Sequence, residues 1–171
     1  MKVLILNGID VDGKDVFAEY VGKYINFRKN NYVHTSIIKP VKDILRTTNL
    51  CGTDDDEKYR EFLFDFKELT DQYYDYSFKN LQENFECCYD CGCDALFMVD
   101  IYKPEDIKRF IKKLASKYNI DRKDICALLI TKQDVEDTIA DGYKYDAVIT
   151  TCSEKETLKT KAHKFIIDFM Y

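Results

Sequence analysis

Two glycines and a lysine near the start of the chain have the spacing of a phosphate-binding loop. Gly8 and Gly13 lie five residues apart, and Lys14 follows Gly13 directly. Glycines let backbone N–H groups fold around an anion, the start of a helix adds positive charge, and the lysine reaches the terminal phosphates. Asp15 stands where a serine or threonine is usual, and a carboxylate there is able to bind Mg²⁺ directly or through water.

The residues on both sides of this loop favour phosphate binding. Residues 3–6 form a continuous apolar run, typical of a buried strand, and apolar residues recur at helical spacing over residues 17–25. Asp10 and Asp12 bring negative charge to the loop. A glycine turn with a solvated lysine is therefore the alternative interpretation.

Composition limits the classes of protein that fit. The chain has 171 residues, 46% of them hydrophobic and 14% aromatic, as expected for one folded domain. Its formal net charge is −5, so the chain has no excess of basic residues with which to bind duplex nucleic acid. No apolar stretch reaches membrane-spanning length, so we expect no membrane association and a cytoplasmic protein.

Several further groups are candidates for binding. Lys42 and Arg46 form an i,i+4 pair of cations on a short predicted helix, which suits an anionic ligand or a solvated helix face equally. On the next predicted helix, residues 57–69, an aromatic stripe indicates core, and Arg60 and Lys67 share a different face. Asp100 ends the apolar run 95–99, where it would hold a magnesium-bound water or cap the following turn.

Four of the seven cysteines fall within residues 87–93. Cys88 and Cys91 have the spacing of a zinc knuckle, but a structural zinc site normally needs a second ligand pair elsewhere in the sequence. A metal site and a loop of reduced thiols are the two interpretations of this segment. His34 and His163 have no catalytic partner nearby in sequence, and we interpret both as structural.

Strands alternate with helices along the chain. Further strands are predicted at residues 32–38, 95–99, 125–130 and 147–150. This order predicts an α/β fold, a three-layer αβα sandwich with a five-stranded, mostly parallel sheet. Right-handed crossovers would bring Lys14, Asp100 and Lys132 toward one crevice at the edge of that sheet.

In these features the sequence resembles the P-loop nucleoside and nucleotide kinases. The resemblance is to phage and bacterial deoxynucleoside monophosphate kinase-like proteins with a Gly-Lys-Asp loop, and it covers nearly the whole chain. Five segments match in order: residues 8–15, 41–44, 56–63, 104–107 and 145–149.

The resemblance implies a single kinase-like domain over residues 1–171, with a helical substrate-side insertion at about 40–86 and a short lid at about 132–142. It implies ATP and Mg²⁺ as cofactors. The implied cofactor-binding residues are Gly8, Asp12, Gly13, Lys14, Asp15 and Val16, and the implied metal ligands are Asp15 and Asp100. The implied acceptor-binding residues are Lys42, Arg46, Arg60 and Lys67, and the implied catalytic residues are Lys14, Arg60 and Lys132.

The reaction implied is phosphoryl transfer from ATP to a (deoxy)nucleoside monophosphate or a similar phosphorylated small metabolite. Tyr102 and Lys132 stand where relatives usually carry arginine, and lysine lacks the bidentate fork of arginine. A catalytically weak or inactive nucleotide-binding protein is therefore one alternative, and an unrelated α/β protein is another. The aromatic richness also allows a homodimer.

Overall fold

The chain forms strands and helices that alternate over most of its length. The computed structural model describes residues 1–8, 11–28, 31–50, 52–53, 56–91, 96–131, 139–140, 142–151 and 155–171, with the backbone alone at 11, 12, 139, 140 and 155–157. In chain order the elements are β1 (Lys2–Gly8), α1 (Val11–Phe27), β2 (Tyr32–Ser36), α2 (Lys39–Thr47), α3 (Glu57–Tyr74), α4 (Tyr76–Asp90), β3 (Leu96–Asp100), α5 (Pro104–Tyr118), β4 (Ile125–Thr131), β5 (Ile139–Ala140), β6 (Tyr143–Lys144), β7 (Ala147–Thr150) and α6 (Lys155–Met170).

Five of these strands form one sheet in the order β2-β3-β1-β4-β7. All four pairings are parallel, so the sheet predicted as mostly parallel is parallel throughout. Every residue of β3 and β4 is buried, because helices cover both faces, and this explains why these strands are continuous apolar runs in sequence.

The side chains of the central strand alternate between two apolar layers. Val3 and Ile5 of β1 pack in a cluster with residues of α4 and α5. Leu4 and Leu6 point the other way, into a cluster with residues of α1 and α6. Because side chains along a strand alternate between its faces, one strand supplies both layers. The predicted three-layer αβα sandwich is confirmed.

Helices α2 and α3 share a small apolar cluster of their own beside the sheet. Its buried members are Ile38, Val41, Leu45 and Leu63. Pro40 lies in the first turn of α2, where a missing N–H breaks no helical hydrogen bond. The Asp56 carboxylate accepts hydrogen bonds from backbone N–H groups in the first turn of α3 and so fixes where that helix begins.

The region between α3 and α4 differs from the sequence prediction. Residues 71–76 were expected to connect two helices, but only Asp75 separates them, in the left-handed conformation with φ 52°.

The predicted apolar stripe of α3 is also partly wrong. Phe62 and Leu69 are 42% and 52% exposed, whereas Leu63 and Lys67 are buried. The reason is that α3 packs through a face centred on Leu63, and apolar periodicity alone does not identify which face meets a neighbour.

Helix α4 extends further than the sequence indicated. It runs to Asp90, so Cys87 and Cys88 lie in its last turns and not in a loop. Within the described residues, no group of three or more His, Cys, Asp or Glu side chains is placed to hold a metal ion. Cys93 lies outside those residues, so the zinc hypothesis for the whole segment stays a prediction.

A small antiparallel ribbon follows β4. Strand β5 pairs with β6, and Gly142 between them has a φ of 71°, which glycine adopts without strain. Two-residue strands are too short for a periodic pattern, so the sequence did not predict them.

Most of the predicted lid, residues 132–138 and 141, lies outside the described residues. None of the helices described combines the length and apolar character that a bilayer crossing requires.

Alkylation should distinguish two classes of cysteine in the folded protein. Cys126 of β4 is 7% exposed, and burial raises the pKa of its thiol to about 12. Roughly one thiol in 10⁴ is then ionised at about pH 8, and the thiolate is the nucleophile. We expect iodoacetamide to modify the exposed Cys87 and Cys91 while Cys126 stays unmodified, as read by peptide mass spectrometry. Guanidinium-unfolded protein, labelled at all three positions, is the control. Rapid labelling of native Cys126 would contradict its burial in β4.

Candidate active site

The predicted phosphate loop lies at the centre of the sheet's carboxyl edge. Strand β1 lies between β3 and β4 and ends at Gly8, and α1 begins at Val11. Gly13 and Lys14 therefore lie in the first turns of a 17-residue helix, whose free N–H groups give that end positive character. Residues 9 and 10 and the side chain of Asp12 lie outside what the structure describes.

Close packing requires glycine at position 8 and favours it at position 13. A Cβ at Gly8 would lie 2.5 Å from the carbonyl oxygen of Ile130, and a Cβ at Gly13 would lie 3.0 Å from Cγ2 of Thr151. Glycine thus lets the end of β1 lie directly against β4, and the start of α1 lie against the residue that follows β7. These contacts fix the two described ends of the loop independently of any ligand.

Lys14 is enclosed by two side chains, one from the last residue of β3 and one from the segment that follows it. Its Nζ donates to Asp100 Oδ2 at 3.1 Å and to the Tyr102 hydroxyl at 3.2 Å, and it lies 4.7 Å from the centre of the Tyr102 ring. Burial acts to lower the pKa of Lys14, but the charge of Asp100 and the contact with Tyr102 outweigh it, and the pKa is raised. The stabilisation from this charged pair is therefore present below the ordinary lysine pKa and is lost as pH rises through the raised value.

Asp100 joins the phosphate loop to β2. Its Oδ1 lies 3.2 Å from Nε2 of His34, so each carboxylate oxygen has a partner. His34, interpreted from sequence as structural, instead borders the same cleft as Lys14. The sequence alone did not indicate this contact, because His34 and Asp100 are far apart in the chain. They come together only because β2 pairs with β3.

Asp15 lies at the mouth of the same cleft. Partial burial raises the pKa of its carboxyl group, and the neighbouring Lys14 ammonium acts in the opposite direction. Carboxylate oxygens are ligands that Mg²⁺ prefers, and an exposed carboxylate beside the loop fits that ion. Asp100 fits it less well as a direct ligand, since Lys14 and His34 occupy its oxygens.

Four cations of α2 and α3 line the same cleft as Lys14. Helix α2 contributes Lys39, Lys42 and Arg46, and α3 contributes Arg60. Asp43 lies 3.0 Å from the Lys39 ammonium, at the surface of α2. An exposed pair of this kind is worth little, so the Lys39 ammonium remains available to an anionic ligand.

The cleft itself encloses about 580 Å³, a size that suits a small-molecule ligand. Its lining combines the cations with the carboxylates of Asp15 and Asp100 and an apolar wall of Ile38, Leu63, Phe64 and Tyr102. An anionic ligand with a flat apolar part would find partners for both of its parts.

The structure brings most of the predicted site residues to this cleft. The predicted residues that line it are Gly8, Lys14, Asp15, Lys42, Arg46, Arg60 and Asp100. Gly13 packs beneath the loop, and Val16 packs against the cluster below α1. Lys132 lies outside the described residues. Lys39, Phe64 and His34 line the cleft without having been predicted from sequence.

Lys67 does not reach the cleft, contrary to the sequence expectation for an acceptor-binding residue. Its side chain is 6% exposed, and its Nζ lies 2.7 Å from Asp71 and 3.8 Å from Asp106 of α5. Arg60 and Lys67 do lie on nearly the same side of α3, being seven residues apart. They meet different surroundings because the first turns of α3 border the cleft, whereas Lys67, two turns later, lies near Asp106 of α5.

Comparison with known proteins provides a match at the level of structure. No protein-family model matches the chain, and no curated protein sequence matches it. The chain is similar to the solved structure of the Mycobacterium tuberculosis APS kinase CysC, in a cysteine-to-alanine mutant form, with a TM-score of 0.50 and 11% sequence identity. The alignment covers 98% of this chain and 99% of that one. The protein has the fold of the P-loop kinases.

Proposed function

We propose that this protein transfers the γ-phosphoryl group of ATP to a phosphorylated, nucleotide-like small molecule. One observation carries the proposal: a single cleft is lined both by the lysine of the predicted phosphate loop, Lys14, and by the cations of α2 and α3. Phosphoryl transfer depends mainly on holding two anionic substrates in line and neutralising the charge between them. Cations from separate elements that line one cleft meet that need.

Different groups of described residues would bind ATP with its Mg²⁺ and the acceptor. Lys14 and the N–H groups at the start of α1 would bind the phosphates of ATP, and Asp15 would hold the accompanying Mg²⁺. Bound ATP·Mg²⁺ supplies the phosphoryl group and part of the charge neutralisation. Lys42, Arg46 and Arg60 would hold an acceptor phosphate, and the wall formed by Phe64 and Leu63 would pack against a flat apolar group.

The acceptor class is the finer part of the proposal. The resemblance to deoxynucleoside monophosphate kinase-like proteins makes deoxynucleoside and ribonucleoside monophosphates the first acceptors to test. APS, the compound in the name of the structural neighbour, belongs in the same screen. Homodimer formation and a cytoplasmic location stay predictions.

The test is a transfer assay with γ-labelled ATP, Mg²⁺ and each candidate acceptor, followed by separation of the labelled product. For the acceptor that reacts, Arg60→Gln should raise KM by about 10–100-fold, because a hydrogen bond to a charged group is worth about 1.5–3 kcal/mol. Lys58→Gln is the matched control, since Lys58 lies in the same exposed turn of α3 but does not line the cleft. An equal effect of both substitutions would contradict the assignment of Arg60.

A second candidate function is nucleotide binding without turnover. It is favoured by the Lys14 side chain, which is 4% exposed and already paired with Asp100. A calorimetric titration with a non-hydrolysable ATP analogue, read together with the transfer assay, distinguishes the two candidates. Binding together with labelled product supports the kinase, and binding without product for any acceptor supports the second candidate. The absence of binding would overturn both.

A further inference from the structure

Tyr102 covers the lysine on which the proposed function depends. The Lys14 side chain is 4% exposed, and the Tyr102 hydroxyl and ring lie against its ammonium at 3.2 Å and at 4.7 Å from the ring centre. Asp100 contacts the ammonium as well. A phosphate group therefore reaches Lys14 only if a covering side chain moves.

The main chain and the side chain of Tyr102 are held by different parts of the fold. Its carbonyl oxygen accepts a hydrogen bond from Asn7 of β1 at 3.2 Å, which ties the main chain to the sheet. Its ring packs edge-on against Phe64 of α3, with centroids 6.0 Å apart and planes at 87°. The sheet thus anchors the main chain, whereas the position of α3 determines where the ring lies.

Helix α3 also carries a side chain that faces the proposed acceptor. Arg60 and Phe64 both line the cleft, and they are four residues apart, so they are neighbours on one face of the helix. A ligand that draws Arg60 inward moves the same turn of helix that carries Phe64. This connects the acceptor side of the cleft to the cover over Lys14 through Phe64 and Tyr102.

We infer that Tyr102 is a positioning residue that covers Lys14 and is displaced through Phe64 when an acceptor binds at Arg60. The inference rests on the proposed function and goes beyond it. In this arrangement Lys14 becomes accessible to the phosphates of ATP only when the acceptor is bound. Coupling between two binding sites is reciprocal, so bound ATP also favours acceptor binding. Phosphoryl transfer to water is suppressed by the same arrangement, because Lys14 is withheld until the acceptor arrives.

The experiment measures the dissociation constant of a non-hydrolysable ATP analogue with Mg²⁺, by calorimetry and without any acceptor. Tyr102→Leu removes the cover and should bind the analogue about 5–20-fold more tightly than the unmodified protein, within the usual range of coupling between sites. Phe64→Leu, which frees the ring of Tyr102, should give a smaller gain of about 3–10-fold. A residue that only supports the structure would produce a loss of affinity when replaced, so a gain is diagnostic.

Phe62→Leu is the matched control. Phe62 lies on the same helix with the same 42% exposure as Phe64, but it does not line the cleft and stacks on Phe66 instead. Its replacement should leave the affinity unchanged. Tyr102→Phe keeps the ring and loses the hydroxyl contact with Lys14, and it should show a partial gain even if the leucine variant is poorly folded.

A double variant identifies the lysine as the origin of the gain. In Lys14→Met/Tyr102→Leu, the tighter binding should disappear, because no ammonium remains to be uncovered. Unchanged or weaker binding by Tyr102→Leu, Tyr102→Phe and Phe64→Leu, in a protein that still transfers phosphate, would overturn the inference alone. Failure of the unmodified protein and of every variant to bind the analogue would overturn the proposed function, and this inference with it.

Discussion

Lys14→Met is expected to lower phosphoryl transfer by about 10²–10³-fold, the usual effect of removing one group that neutralises developing charge. Methionine has a similar length and fills the buried space, so the change removes mainly the charge. The measurement is the initial rate of the transfer assay at saturating ATP. Lys23→Met is the control, because Lys23 lies on the same helix, is 67% exposed and pairs with Glu19 at the surface.

The same substitution should also destabilise the protein. Asp100 is 7% exposed and loses its lysine partner in the variant, and breaking a buried ion pair from one side costs about 3–5 kcal/mol. Adding Asp100→Asn removes the uncompensated charge. The double variant should therefore recover stability, measured by chemical denaturation, without recovering activity. If the single variant kept its activity, Lys14 would have no role in transfer.

Phe85→Ala is expected to reduce the free energy of unfolding by about 3–5 kcal/mol, through lost burial and the cavity left behind. Phe85 of α4 is fully buried, and four aromatic rings surround it. The ring centroids lie at 5.1 Å for Phe97, 5.9 Å for Phe110, 5.9 Å for Tyr89 and 4.9 Å for Tyr118. Because whole domains are stable by about 5–15 kcal/mol, a large share of the stability would be lost.

Urea denaturation monitored by circular dichroism measures this effect. Phe27→Ala is the control, since Phe27 at the end of α1 is 82% exposed and its replacement should change the free energy by less than about 0.5 kcal/mol. Phe85→Leu should fall between the two, because leucine keeps part of the volume. A cost below about 1 kcal/mol for Phe85→Ala would mean that α4 does not pack on the sheet as described.

Local pattern was sufficient for the strands of the five-stranded sheet and for the glycine turn that follows β1. Buried parallel strands are continuous apolar runs, so β1, β3, β4 and β7 were recognisable without any partner, although β2 ends two residues before the prediction. Gly8 and Lys14 were recognisable because a turn between a buried strand and a helix requires particular residue types at fixed spacing. These features depend only on neighbours along the chain.

Helix boundaries and buried faces were less predictable. The joint at Asp75 is a single left-handed residue stabilised by Asp71, which accepts its N–H, and by an ion pair with Arg109. Neither contact has a sequence signature. Lys67 pairs with Asp71 one turn later on α3, but its second partner is Asp106, 39 positions away, and no helical pattern on α3 would indicate that contact.

By itself, the sequence determined that this chain is an α/β protein, and it predicted a phosphate-binding loop and cations on two later helices. Only the tertiary structure decided that these groups share one cleft. The order β2-β3-β1-β4-β7 places β3 beside β1 and β2 beside β3, which brings Asp100, Tyr102 and His34 to Lys14. Strand order results from crossovers between distant segments, and side-chain packing across those crossovers is invisible to any local pattern in the chain.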